Sequence, residues 1–275
     1  MTGDSLTRRS FLAGGVCACC ACGPLTRAIG ATSVASTGTL GPEGLPTVLE
    51  LGTDPMQRIG QSVWVSRLAP GLWLHTTTAV IADDQHRYFP ANGLILESDR
   101  GSVLIDTGYL QEHAEVLLTW SKRALRHPIT QAVATHFHRD RTGGIPALEA
   151  IGIPTVAHPL TLELARSHGT PVPTAAADFV QDIARVSAQC ELFFPGAGHT
   201  RDNIVAWLPR QRVLFGGCFL KSMTSADLGY LADAVVADWA GSVRRLSARY
   251  STPTITIPGH GSVSGNPIGH TLALL

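Results

Sequence analysis

A chain of 275 residues can bury a full core in one large domain or in two modest ones. Apolar residues make up 44% and Asp, Glu, Lys and Arg only 15%, which excludes a disordered tail and a charged coiled coil. Lysine and arginine number 21 against 21 acidic residues, with no basic stripe, so no nucleic-acid partner is expected.

Residues 1–30 read as an export segment. Arg8-Arg9-Ser10-Phe11-Leu12 opens an apolar, small-residue stretch that ends at Ala28-Ile29-Gly30. A basic start, an apolar middle and a small-residue exit form the secretory pattern, and the paired arginines point to the twin-arginine route and a periplasmic destination. The stretch is too short and too broken by Gly and Pro to span a bilayer, so no stable membrane span is expected. Cys17, Cys19, Cys20 and Cys22 lie inside it, and no Leu-small-small run immediately precedes them, which argues against a lipid anchor. Without this segment the chain carries 18 basic and 20 acidic residues, and only Cys190 and Cys218 remain, enough for at most one disulfide. Residues 31–60, with Thr39, Gly41, Pro42, Gly44, Pro46 and Pro55, show no clean periodicity and are expected to form an irregular lead-in to a domain over 61–275.

Short strand-like and helical runs then alternate. Val63-Trp64-Val65 and Leu72-Trp73-Leu74-His75 flank Pro70-Gly71 as a hairpin, and Leu94 to Glu97 and Ser102 to Asp106 form a second pair. Residues 111–125 carry Ala114, Leu117, Leu118, Ser121 and Leu125 at near-helical spacing. Further strand-like runs fall at 132–134, 154–156, 191–194, 204–208, 212–215 and 254–257. A helix is expected over 159–168, and another over 235–250 with Val236, Trp239, Val243, Leu246 and Tyr250 on its apolar stripe. Strand clusters interleaved with helices in both halves predict an α/β sandwich of two packed sheets with helices outside.

The sharpest segment is Thr135-His136-Phe137-His138-Arg139-Asp140, just after an apolar run. In an extended stretch side-chain direction repeats every second residue, so His136 and His138 point the same way. Asp140 shares that parity unless a turn into Gly143-Gly144 redirects it. Three later segments each place a His or Cys beyond a strand-like run, flanked by glycine: His199 after Gly198, Cys218 after Gly217 and His260 after Gly259. Imidazole, carboxylate and thiolate are zinc ligands, and glycine lets backbone approach a crowded centre. A closed structural zinc site takes four ligands; six candidates divide better into two sites of three, each completed by water or substrate.

With those residues in view, the sequence resembles the metallo-β-lactamase-fold hydrolases, and within them subclass B1, from about residue 63 to 263. The short motif His-x-His-x-Asp is met by His136, His138 and Asp140. Arg141 after that Asp, and Cys218 in Gly-Gly-Cys-Phe-Leu-Lys, resemble B1 enzymes rather than thioesterases or lactonases of the fold. The resemblance implies a four-layer αββα sandwich and two Zn²⁺ ions. His136, His138 and His199 would bind the first zinc, and Asp140, Cys218 and His260 the second. It implies hydrolysis of the β-lactam amide bond by water activated on zinc, without an acyl-enzyme, and hence antibiotic resistance. Asp140 would orient the nucleophile and Lys221 would grip the substrate carboxylate. Tyr230 stands where B1 enzymes usually carry Asn after Leu-Gly, and Arg139 is a bulky cation beside the second site. Tyr88 and Phe89 fall where B1-like enzymes have a flap over the substrate.

Asp106, in Ile105-Asp106-Thr107-Gly108, is the candidate for a carboxylate bonded to a ligand imidazole, with Arg141 close behind the ligands. Cys190, among apolar neighbours, is expected to be a buried filler, unpaired with Cys218. His75, His86, His113, His127, His158, His168 and His270 share no motif and are expected on the surface or on helix faces. A monomer acting on a small molecule is expected. The alternatives are a hydrolase of the same fold acting on a lactone, thioester or other ester, and a non-enzymatic metal-binding protein with no open coordination position.

Overall fold

The structure, a computed structural model, describes residues 55–81 and 87–275 together with the backbone of two short strands, Ala35–Ser36 and Val48–Glu50. The export segment, the rest of the lead-in and the flap residues 82–86 lie outside the described residues, as does the side chain of Tyr88.

The first sheet orders its ten strands as the chain does: β1 (Ala35–Ser36), β2 (Val48–Glu50), β3 (Met56–Gly60), β4 (Val63–Ala69), β5 (Leu72–Ile81), β6 (Arg87–Leu96), β7 (Ser102–Ile105), β8 (Ile129–Val133), β9 (Thr155–Ala157) and β10 (Ala175–Ala176). Pairing is antiparallel up to β7, and parallel from β7 through β10. The second sheet holds β11 (Ile183–Ser187), β12 (Cys190–Phe193), β13 (Val205–Leu208), β14 (Val213–Gly217) and β15 (Ile255–Pro258), with only β14–β15 parallel. Six helices are described: α1 (Gln111–Ala124), α2 (Arg139–Thr142), α3 (Ile145–Glu149), α4 (Pro159–His168), α5 (Val236–Arg249) and α6 (Pro267–Leu274).

Side-chain alternation along the strands sorts these elements into layers. Leu94, Leu96, Val103 and Ile105 of the first sheet meet Leu192, Ala206, Leu208, Val213 and Phe215 of the second in one inter-sheet core. The intervening residues Ile95 and Leu104 point the other way, onto Leu117 and Leu118 of α1 and Leu148 of α3. Val205 and Leu214 point out of the second sheet onto Trp239, Val243 and Leu246 of α5. Both sheets are therefore buried on two faces, and the molecule is the four-layer αββα sandwich. Each fully buried aliphatic or Phe side chain contributes about 1.5–3 kcal/mol, so the three clusters dominate the stabilisation.

The hairpin across Pro70-Gly71 forms as β4–β5, with Val65 opposite His75, and Gly71 takes the positive φ (72°) that its turn requires. Three expectations need correction. Met56–Gly60 is not irregular: it pairs with β4, and Met56 is fully buried in the inter-sheet core. Val236, placed on the apolar stripe of α5, is 44% exposed because it sits at the helix start, outside the packed turns. His75 is not a surface or helix-face residue: it projects from β5 and is 1% exposed. His113 does lie on a helix face, the buried one of α1 in its first turn, and is also 1% exposed. No helix among the described residues is long and apolar enough to cross a membrane.

Candidate metal centre

The site lies along one edge of the sandwich, where loops following β7, β8, β14 and β15 meet the 194–204 connection. Past β8 the extended run expected from the spacing gives way to bends at 135–138, with only His138 itself extended (φ −65°, ψ 152°), and the two rings are brought together by this curved segment, their centroids 4.7 Å apart. Helix α2 then starts at Arg139. Asp140 thus comes from a helical turn rather than from the extended run, and it serves the neighbouring position. The segment is fastened from behind by Asp106. Its backbone is left-handed (φ 62°), a conformation seldom adopted by non-glycine residues, and this aims its carboxylate at the strand next door. Thr135 donates to it through its backbone N (2.8 Å) and hydroxyl (3.0 Å).

His136, His138 and His199 are 1–2% exposed, and each offers a ligand atom within 4.8 Å of the others. Their rings meet edge-on, with centroids 4.7–5.0 Å apart. The loop carrying His199 is pinned by Asn203, which accepts from Thr200 N (3.1 Å) and donates to Gly196 O (2.9 Å). His136 Nε2 and both ring nitrogens of His199 are buried with no hydrogen-bond partner. Burial also holds both rings well below the usual imidazole range, so they stay neutral and keep their lone pairs. Orphaned buried nitrogens cost free energy unless something binds them. Three buried imidazoles converging in this way fit a zinc ion.

The third ring is oriented by a residue that the sequence did not reveal. His138 Nε2 lies 2.9 Å from Asp233 Oδ2, which leaves Nδ1 as its ligating atom. That hydrogen bond, first among its influences, holds the Asp233 carboxyl below the usual carboxylate range despite partial burial. The carboxylate bonded to a ligand imidazole is thus Asp233; Asp106 instead holds Thr135 and Arg141.

The second group is tighter. Asp140 Oδ2 is 3.1 Å from His260 Nε2, and Cys218 Sγ is 3.1 Å from the same nitrogen and 3.4 Å from Asp140 Oδ2. His260 faces them through Nε2 because its Nδ1 is taken by Pro90 O (2.8 Å). His136 also lies within 4.8 Å of ligand atoms of Asp140 and Cys218, so the two groups adjoin. Arg141, wholly buried, closes the base: Nη2 meets Asp140 Oδ2 (2.8 Å), Cys218 Sγ (3.0 Å) and Gly259 O (2.9 Å). Its Nη1 donates to Asn92 O (2.6 Å) and Asp106 Oδ2 (3.1 Å). Burial would raise the Asp140 carboxyl, but the Arg141 charge and the His260 bond outweigh it and hold it well below the usual range. For Cys218 burial prevails over Arg141 and pushes the thiol up. Gly259 allows this crowding: a Cβ there would sit 2.5 Å from Cys218 N and 2.9 Å from Arg141 Nη2. Carboxylate, thiol and imidazole at these spacings fit a second zinc.

Around the two groups, Lys221 Nζ lies over the Trp239 ring at 5.2 Å, and its charge lowers the basicity of His199. The Tyr230 ring packs against His138 (centroids 5.6 Å apart), and its hydroxyl bonds Asp233. Arg139 is exposed, and Phe89 in β6 is half-buried. Cys190 and Cys218 are both buried and free. Asn92, also unforeseen, donates from Nδ2 to Pro258 O (3.1 Å) and Gly261 O (3.0 Å), tying the His260 loop to β6.

Two adjoining ligand sets, His₃ and Asp-Cys-His, at the edge of an αββα sandwich define a binuclear zinc hydrolase centre of the B1 type. The chain belongs to the metallo-beta-lactamase superfamily, whose family profile matches residues 87–260. It is 35% identical over 215 residues to the metallo-beta-lactamase type 2 of Bacillus cereus, covering 78% of this chain and 83% of that protein. Among solved structures it is similar to the metallo-beta-lactamase of Erythrobacter litoralis, with a TM-score of 0.75 and 35% identity over 80% of this chain and 98% of that one. FIM-1 from Pseudomonas aeruginosa, in its mono-zinc form, gives a TM-score of 0.75 and 34% identity over 79% and 96%.

Proposed function

We propose that the chain hydrolyses the amide bond of β-lactam antibiotics. The observation that carries this reading is the Asp140–Cys218–His260 group beside the three histidines, with Lys221 three residues beyond Cys218. Zinc bound by these groups supplies Lewis acidity towards a carbonyl and makes water acidic enough to serve as nucleophile at neutral pH.

The chain's own residues do the rest. Asp140, held ionised by Arg141, accepts a hydrogen bond from the attacking water and orients it. Lys221 meets the substrate carboxylate as a flexible point charge. Phe89, from β6, covers the apolar substituent of the substrate. Tyr230, bonded to Asp233, stands at the carbonyl side without an amide. No serine or free thiol is needed as a nucleophile, so no acyl-enzyme forms. The paired Arg8 and Arg9 ahead of an apolar stretch support export to the periplasm by the twin-arginine route, where such antibiotics are met. All six metal ligands come from one chain, so the site is complete without a second copy.

The test is hydrolysis of a penicillin, a cephalosporin and a carbapenem by the mature protein, with and without a zinc chelator. Turnover that chelation abolishes and zinc restores is expected. Lactone or thioester hydrolysis with intact lactams would replace this reading with the ester alternative.

A further inference from the structure

We propose that His168 is a positioning residue for the three-histidine site: from the last turn of α4 it holds Asp233, and through Asp233 it fixes the ring of His138. Asp233 sits on the long connection between β14 and α5, with no regular structure to hold its side chain. One of its oxygens meets His138 Nε2 at 2.9 Å; the other lies 3.6 Å from His168 Nε2. The ring of His168 is itself fixed twice. Its Nδ1 is 2.8 Å from Leu164 O, and its face lies against Phe137, with centroids 4.5 Å apart, in the residue just before His138.

His168 Nδ1 faces Leu164 O, with the Ser167 hydroxyl 3.0 Å from the same nitrogen, so Nε2 is the ring atom turned towards Asp233. After the His138 bond, His168 adds to the lowering of the Asp233 carboxyl, and the C-terminal end of α4 favours positive charge at this place. Asp233 is thus gripped from both sides, by His138 and by His168, with the Tyr230 hydroxyl as a third contact. A carboxylate fixed in this way holds its imidazole in one tautomer and orientation, which strengthens metal binding.

The proposal rests on the zinc reading of the site and not on the identity of the substrate. Its test is a double-mutant cycle of H168A and D233N on the mature protein. Zinc affinity is measured by competition with a chromogenic chelator, and each site is followed separately in the cobalt(II) spectrum. H168A is expected to weaken the three-histidine site by about 10-fold, the scale on which partners of metal ligands act. The Cys218-to-cobalt charge-transfer band of the other site should stay unchanged. In the D233N background H168A should add nothing. An H168A protein that binds zinc like the parent, or that loses the same factor in both backgrounds, overturns the proposal. A parent that takes up no zinc would instead overturn the zinc reading itself. His168 lies half-exposed at a helix end, and thermal unfolding of the metal-free variants checks that each still folds.

Discussion

At the scale of single residues, the chemistry of Cys218 sets how the second site loads. Its thiol is raised by burial and only partly relieved by Arg141, so it is protonated until metal arrives, and binding must expel that proton. Cys218→Ser replaces a soft thiolate with an alcohol that stays protonated at neutral pH. Zinc at the second site should weaken by more than about 10-fold, while the three-histidine site keeps its affinity. Titration calorimetry in two buffers of different ionisation enthalpy checks this. The wild type should show a buffer-dependent heat for its second zinc, and the variant should lose it; equal heats in both proteins would remove Cys218 from the ligand set.

The elements show which parts of the site a sequence can display. His136, His138 and Asp140 were legible because they fall at every second position of one short segment after an apolar run, and each of His199, Cys218 and His260 carries its own glycine beside a strand end. Asp233 and Asn92 have no such signal. Asp233 acts 95 positions from His138 and Asn92 166 positions from Pro258, contacts that only the packing of two sheets creates. Helix α6 had a local cue in Asn266-Pro267, a cap followed by proline at the first turn, but its eight residues are too few for a periodicity to be read. Asn92 is the strut between β6 and the loop after β15. Asn92→Ala removes both Nδ2 donors and strands two carbonyls, a cost of about 2–3 kcal/mol. The melting temperature should fall, and zinc should leave the Asp140–Cys218–His260 group before it leaves the three histidines. Loss from both sites in parallel would mean that the strut holds the whole edge of the sandwich and not the His260 loop alone.

For the whole molecule, buried titratable groups on β5, on α1 and just after β7 make stability depend on pH. Burial presses His75 and His113 down to about 4, from an ordinary 6.5. An unfolded chain protonates both below about pH 6.5, whereas the folded protein resists until about 4. Their contribution is therefore complete above 6.5 and is lost as pH falls through that window, at about 3 kcal/mol each. Asp106 has the opposite sign. Burial lifts it to about 6 against the Arg141 charge, so the folded state takes up its proton before the unfolded chain does. Between pH 6 and 4 it returns about as much as one histidine removes, leaving a net loss of about 3 kcal/mol for the three groups. The metal ligands titrate too, so the comparison belongs in metal-free protein and between variants. His113 Nε2 is 2.9 Å from Ser62 Oγ, a contact that a glutamine amide can replace without titrating. His113→Gln should flatten the fall in stability between pH 6 and 4.5 by about 1.4 kcal/mol per pH unit, one proton's worth. Denaturant midpoints at stepped pH measure this slope directly. If the variant and the wild type lost stability in parallel, the acid sensitivity would belong to other histidines than the one in the first turn of α1.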